Sequence, residues 1–241
     1  MLNYLAQTPG GAGVRDMARA FGYGLNVTQK TLNALRAHNY VRQQDGGGKY
    51  VLSFRIVEIA MALLSQIDIR AIAHPHIAGL SEQIQESVYV GLLDGDEVVY
   101  VDRAEPAREM RVAADIGTRR PLNCTAVGKA LLAFLPDPPL KALAARGAFK
   151  ALTVNSLTAV GRLRKELEEV RRGGYAVDRE EFMLGVACVA APVFDHSGSV
   201  KAAVTTASLA ARLRPQRLPR VASQVKATAA AISRALGFLP C

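Results

Sequence analysis

Apolar and polar positions recur along this chain with two periods, and the switches between them mark its elements. Val14, Met17, Ala18 and Phe21 stand at i, i+3, i+4 and i+7, the buried stripe of a helix Val14–Phe21. A short helix Leu2–Ala6 precedes it, ended by Pro9, Gly10 and Gly11, and the turn Gly22-Tyr23-Gly24 follows it. The third helix is predicted over Asn26–His38, capped by Asn26 and burying Val27, Thr31, Leu32 and Leu35, with Tyr40 beyond its end. The pattern then turns strand-like: Tyr40–Gln44 and Lys49–Leu52 make a hairpin around Asp45, Gly46, Gly47 and Gly48. Three helices and a hairpin over residues 1–53 predict a winged helix-turn-helix.

Phe54–Gln66 has helical period and is apolar on more than one face, so it needs burial on two sides. The expectation is a linker helix over 54–67 that also packs against a second subunit, because DNA-reading modules of this size usually act as dimers on paired half-sites. Residues 68–241 begin with a helix Ile69–Ile84. Strands Ser87–Leu93 and Glu97–Asp102 then flank the turn Asp94-Gly95-Asp96, and a further strand is expected at Met110–Ala113. Helices Pro138–Arg146 and Val160–Arg172, strands Tyr175–Arg179, Cys188–Phe194 and Val200–Ala207, and a closing helix Arg217–Leu236 complete the prediction. Hairpin-joined strands interleaved with helices imply an α+β domain around an antiparallel sheet.

Composition narrows the function class. Half of the 241 residues are apolar, so a core can be buried. No run of eighteen uncharged apolar residues occurs, and the opening MLNYLAQTPGG lacks the character of a signal peptide; a soluble cytoplasmic protein with no membrane partner is expected. Cys124, Cys188 and Cys241 are odd in number and widely spaced, which fits reduced thiols and no zinc spacing. The formal net charge is +9. Within the first 52 residues Arg15, Arg19, Lys30, Arg36, Arg42 and Lys49 face only Asp16 and Asp45, which concentrates the charge where double-stranded DNA would lie. Thr28, Gln29, Lys30, Asn33 and Arg36 on the third helix are the candidates for base and phosphate contact, Thr28 and Gln29 for the bases, with Arg42 and Lys49 on the wing.

Two segments of the second half carry the remaining chemistry. In GYAVDREEFMLGVACVAAPV, alternation along two neighbouring strands aims Asp178, Val186 and Cys188 at one concave pocket. In GTRRPLNCTAVGKALLAF, a loop bearing Arg119, Arg120 and Asn123 enters a small-residue helix capped by Thr125, whose N–H groups at Ala126, Val127 and Gly128 form an anion site. A small organic acid, aromatic ones included, is the simplest guest. An enzyme using Cys188 as nucleophile is the weaker alternative, since no histidine lies in a context that would activate it. His74-Pro75-His76 offers no complete metal-ligand set, and no cofactor is expected. A sensor acting through protein contacts alone is a third reading.

These same segments, with GYAVDREEFMLGVACVAAPVFDHSGSV extending the second, resemble the effector-domain signature of IclR-family transcriptional regulators, and the resemblance covers essentially the whole chain. It implies an amino-terminal winged helix, a linker helix and a carboxyl-terminal effector-binding domain similar to the GAF fold. It also implies a ligand between sheet and helix start, matched here by Arg120, Ala126, Val127, Asp178, Val186, Cys188, Thr205 and Ala207. A DNA operator and a homodimer or tetramer are the expected partners. The entry to the third helix departs from the family pattern, with Gly24-Leu25-Asn26-Val27 where a Pro-Lys-Ser-Thr-like sequence is common.

Overall fold

The computed structural model describes residues 1–44, 48–66, 69–136 and 138–239. The wing-turn residues Asp45, Gly46 and Gly47, and Cys241, lie outside them. The chain divides into two units, Met1–Ile67 and Asp68–Cys241.

In the first unit, α1 (Leu2–Ala6), α2 (Val14–Phe21) and α3 (Leu25–Ala37) precede a hairpin of β1 (Val41–Gln43) and β2 (Tyr50–Leu52). The hairpin register sets Arg42 opposite Val51 and Gln43 opposite Tyr50. Leu5, Ala12, Met17, Leu32, Val41 and Tyr50 form its core. Gly22, at φ 65°, ends α2 in a left-handed conformation that a side chain would strain. Phe21, expected on the buried stripe, is exposed and meets Tyr4 and Tyr23 at the surface instead. The cap of α3 is Gly24, not Asn26: Gly24 O accepts from the Thr28 amide at 3.0 Å, which places Asn26 inside the first turn. That phase buries Thr28, Leu32 and in part Leu35, and leaves Val27 and Thr31 outside. Helix α4 spans Arg55–Gln66, and Val57 and Ile59 on it are exposed.

The second unit contains α5 (Ile69–Ile84), β3 (Ser87–Asp94), β4 (Glu97–Ala104), β5 (Arg119–Pro121), α6 (Ala126–Ala133) and α7 (Leu140–Ala145). It continues with α8 (Val160–Gly173), β6 (Ala176–Arg179), β7 (Val186–Phe194), β8 (Val200–Leu209) and α9 (Leu218–Ala235). The six strands form one antiparallel sheet in the order β5-β4-β3-β8-β7-β6. Alternation divides its side chains: Tyr89, Tyr100, Ala190, Ala203 and Ala207 meet α6 and α8, while Val189, Ala191 and Val204 turn toward α5 and α9. Two glycines permit this packing. A Cβ on Gly91 would lie 2.7 Å from a Val127 methyl, and one on Gly128 would lie 2.5 Å from the Leu122 backbone.

The expected strand at Met110–Ala113 does not form. Its neighbourhood bonds to a side chain rather than a strand, because Tyr89 Oη donates to Val112 O (3.2 Å) and accepts from the Ala114 amide (2.9 Å). The edge strand is β5, with Arg120 opposite Val98. The helix expected from Pro138 starts at Leu140. No described helix is long and apolar enough to cross a membrane.

Candidate functional site

The outward surface of α3 and the wing is cationic. Lys30, Asn33 and Arg36 on α3, Arg42 on β1 and Lys49 before β2 are all exposed. An Arg36 Nη1 hydrogen bond to Gln43 Oε1 (3.3 Å) ties the end of α3 to the wing. Thr28 corrects the expectation of a base contact: it is wholly buried, and its hydroxyl donates to Gly24 O at 3.1 Å. Gln29 is half-buried, its amide donating to Tyr50 Oη (3.1 Å) and Asn33 Oδ1 (3.0 Å). The stripe is shifted by one residue from the expected phase, so the positions facing outward are Val27, Lys30 and Thr31.

In the second unit the ladder places Asp178 on β6 directly across from Cys188 on β7, with Val186 two residues along the same face. Asp178 is buried, and its Oδ1 accepts from the Glu181 amide at 2.7 Å. Burial pushes its carboxyl up to about 7, opposed by that amide, while the Glu181 carboxylate adds to the rise and Lys129 offsets part of it. Burial, and then the Asp178 charge, hold the Cys188 thiol well above its ordinary value. Cys124 is raised to about 12, again first by burial and then by Asp178 and Glu181. Burial thus favours the neutral thiol over the thiolate at both sulfurs. Thr205 and Ala207 on β8 pair with Tyr89 and Ser87 of β3, both buried.

Arg120 approaches from the sheet edge. Its guanidinium lies 4.8 Å from the Phe182 ring centre and 5.6 Å from that of Tyr100, with no carboxylate partner among the described residues. Tyr100 stacks on Tyr89, ring centres 4.8 Å apart, and burial raises its phenol. Arg119 is engaged elsewhere, in ion pairs with Asp94 (2.5 Å) and Glu97 (3.5 Å).

The start of α6 differs from expectation in one amide. Thr125 caps it, but its Oγ1 accepts from Gly128 N at 3.1 Å, so that N–H is occupied. The amides of Ala126 and Val127 have no protein acceptor among the described residues.

Lys129, Thr153, Ser156 and Phe182, none of them singled out in the sequence, complete the arrangement together with Asn123. Lys129 is wholly buried and donates to Glu181 Oε1 (2.6 Å), Glu166 Oε1 (3.2 Å) and Val177 O (2.6 Å). The turn between β6 and β7 carries Phe182, and it is clasped from outside: the Thr153 hydroxyl donates to Glu180 O (2.7 Å) and the Ser156 hydroxyl to Glu181 O (2.7 Å). Asn123 anchors that clasp by bonding both sides of Lys150's peptide neighbourhood, with its Nδ2 on Lys150 O and Leu157 O (2.9 Å each) and its Oδ1 on Lys150 N (2.9 Å). A lone lysine inside the apolar run AVGKALLAF was the available signal for the buried pair, because an unpaired ammonium there would be untenable. Phe182 had none, since its position depends on the turn.

His74 lies on α5, which runs through Pro75, and its Nδ1 sits 3.0 Å from Asp102 Oδ2. Among the described residues no group of three His, Cys, Asp or Glu is arranged to hold a metal.

Comparison with known proteins covers both units. Residues 61–234 match the family described as bacterial transcriptional regulator IclR C-terminal, and residues 1–45 match the IclR helix-turn-helix domain. The chain is 33% identical over 225 residues to the HTH-type transcriptional regulator XynR of Escherichia coli, covering 93% of this chain and 89% of that protein. It is 31% identical to the HTH-type transcriptional repressor AllR of Salmonella typhimurium, over all of this chain and 88% of the relative. The crystal structure of the Thermotoga maritima IclR superposes with a TM-score of 0.78 at 32% identity, covering 98% of this chain and 96% of that one.

Proposed function

This chain belongs to the IclR family of bacterial transcriptional regulators, and we propose that it binds an operator through α3 and the wing and adjusts that binding to a small organic acid held beside Arg120 and Asp178. The single observation that carries the ligand half is Arg120: a cation over the rings of Phe182 and Tyr100, with no carboxylate partner among the described residues, at the edge of a face bearing Asp178 and Cys188. A ligand carboxylate supplies the missing counter-charge, the Ala126 and Val127 amides add donors, and Val186, Cys188 and Ala207 supply apolar contact. Asp178 accepts from a ligand hydroxyl. Thr205, buried at the centre of the sheet, sets the depth of the pocket.

On DNA, Lys30 and Arg36 contact phosphate or base edges, with Asn33 beside them and Arg42 and Lys49 on adjacent phosphates. The exposed Val27 and Thr31 methyls take over the base-facing role first assigned to Thr28, through thymine methyl contacts. Two copies of the chain, joined in part through the exposed Val57 and Ile59 of α4, read a partly palindromic site, and the linker 54–67, which contains α4, carries the ligand's effect between residues 1–53 and 68–241.

The decisive experiment is a thermal-shift screen of small organic acids followed by DNA-binding titrations with and without the hit. Stabilisation that disappears in Arg120→Ala and Asp178→Ala, with a changed operator affinity in the unmodified chain, supports the assignment. Stabilisation indifferent to both substitutions places the ligand elsewhere. Equal operator affinity with and without the hit refutes the coupling.

A further inference from the structure

Where the C-terminal ends of α6 and α8 meet β7 and α9, the fold leaves a cavity of about 350 Å³. It shares no lining residue with the Arg120–Asp178 site. Its interior is aromatic: Phe134 meets Phe194 edge-on with ring centres 5.2 Å apart, and the Phe238 ring centre lies 5.1 Å from that of Phe194. Its rim is cationic, formed by Arg171, Arg172, Lys226 and Arg234.

Among the described residues those four cations lack an ion-pair partner and no carboxylate lines the cavity. Two of them are held in place by backbone carbonyls. Arg171 donates its Nε to Ala133 O, and Lys226 Nζ donates to Gly173 O at 2.8 Å, which leaves further N–H groups on each for a guest. Self-repulsion among like charges around one opening is unfavourable and is relieved by an anion. Arginine forks match a carboxylate in two parallel bonds, the phenyl floor favours a flat apolar body, and the volume falls within the ordinary range for small-molecule sites.

We propose that this cavity is a second ligand site, for an aromatic monocarboxylate, separate from the site beside Arg120 and Asp178. The acid group sits at the rim against Arg172 and Arg234, and the ring lies against the Phe194 and Phe238 side chains that line the cavity. An uncharged isostere gains only the apolar half of this recognition.

Isothermal titration of the full chain with 2-naphthoate, and with 2-naphthamide as the uncharged control, tests it. One site per chain is expected that persists in Arg120→Ala and weakens about tenfold or more in the double variant R172Q/R234Q, as loss of charge-assisted hydrogen bonds implies. Both arginines are exposed, so the fold is retained, which a thermal melt verifies. Ala230→Phe, at an exposed position on the mouth, should abolish binding by filling it. No binding up to the probe's solubility limit, equal affinity for the amide, unchanged affinity in R172Q/R234Q, or loss of binding in Arg120→Ala would each overturn the proposal.

Discussion

Replacing Lys129 by methionine removes the buried ammonium at the centre of the polar cluster in the C-terminal domain. In the native protein its ammonium holds Glu181 Oε1 at 2.6 Å, Glu166 Oε1 at 3.2 Å and Val177 O at 2.6 Å. Glu166 is partly exposed and recovers water when the cation leaves, so it adds little to the cost. Glu181 does not: its side chain is only 6% exposed, its Oε2 is already without a partner, and its remaining donor is the Arg179 amide at 3.3 Å. The variant therefore leaves a buried carboxylate unpaired beside Asp178, a change that costs about 3–5 kcal/mol. Methionine fills much of the aliphatic volume, so a cavity contributes little to the loss.

The chain has no tryptophan, so urea denaturation is followed by circular dichroism and tyrosine fluorescence, and the transition of residues 68–241 should move to markedly lower urea at unchanged slope. The double variant K129M/E181Q should recover part of the loss, because the unpaired charge is gone and only neutral groups remain, with a coupling of about 2 kcal/mol between the sites. A loss below about 1 kcal/mol in Lys129→Met, or strict additivity with Glu181→Gln, would refute the argument that the pair is a buried unit.

The remaining expectations are simpler to measure. Gly128→Ala forces a Cβ to within 2.5 Å of the Leu122 backbone, so the effector domain should lose at least about 1–3 kcal/mol in a thermal or urea melt. Asp178 is raised from 3.8 to about 7 in the folded state, so folding takes up a proton in that window and stability falls as pH rises from about 4 to about 7. Asp178→Asn should flatten this segment of the stability–pH curve, and an unchanged slope would assign the pH dependence to other groups. Thr28→Ala should lower the stability of the DNA-reading unit with no change in base preference, whereas Lys30→Ala should weaken DNA binding and, if Lys30 contacts phosphate alone, reduce the salt slope by about one.

Element identities were legible because local signals agree with one another. The helical stripe of α2, the turn Asp94-Gly95-Asp96 and the Thr125 cap each rest on neighbours within a few residues, and α5 begins and ends where its period does. Fine phase was less legible. A glycine cap at Gly24 gives no side-chain signal, so Asn26 looked the better cap, and the one-residue difference moved Thr28 from surface to core. The Met110–Ala113 segment has strand-like residues, yet Tyr89, over twenty positions away, satisfies its neighbouring backbone groups.

What the chain determined by itself was the period of each element, the sign and place of its charge, and the signature segments around Thr125 and Asp178. All of these depend on residues close together in sequence, where backbone geometry alone relates one side chain to the next. Tertiary structure decided which groups meet. Pairing of β6 with β7 put Asp178 against Cys188, and the β5 edge brought Arg120 to Tyr100 and to Phe182 on a distant turn. Packing of α6 sealed Lys129 onto Glu181, and the meeting of α8, β7 and α9 left four cations around an aromatic hollow. Such contacts are set by register and by the shape of packed surfaces, which is why a buried lysine is visible in the sequence as an anomaly while its partner is not.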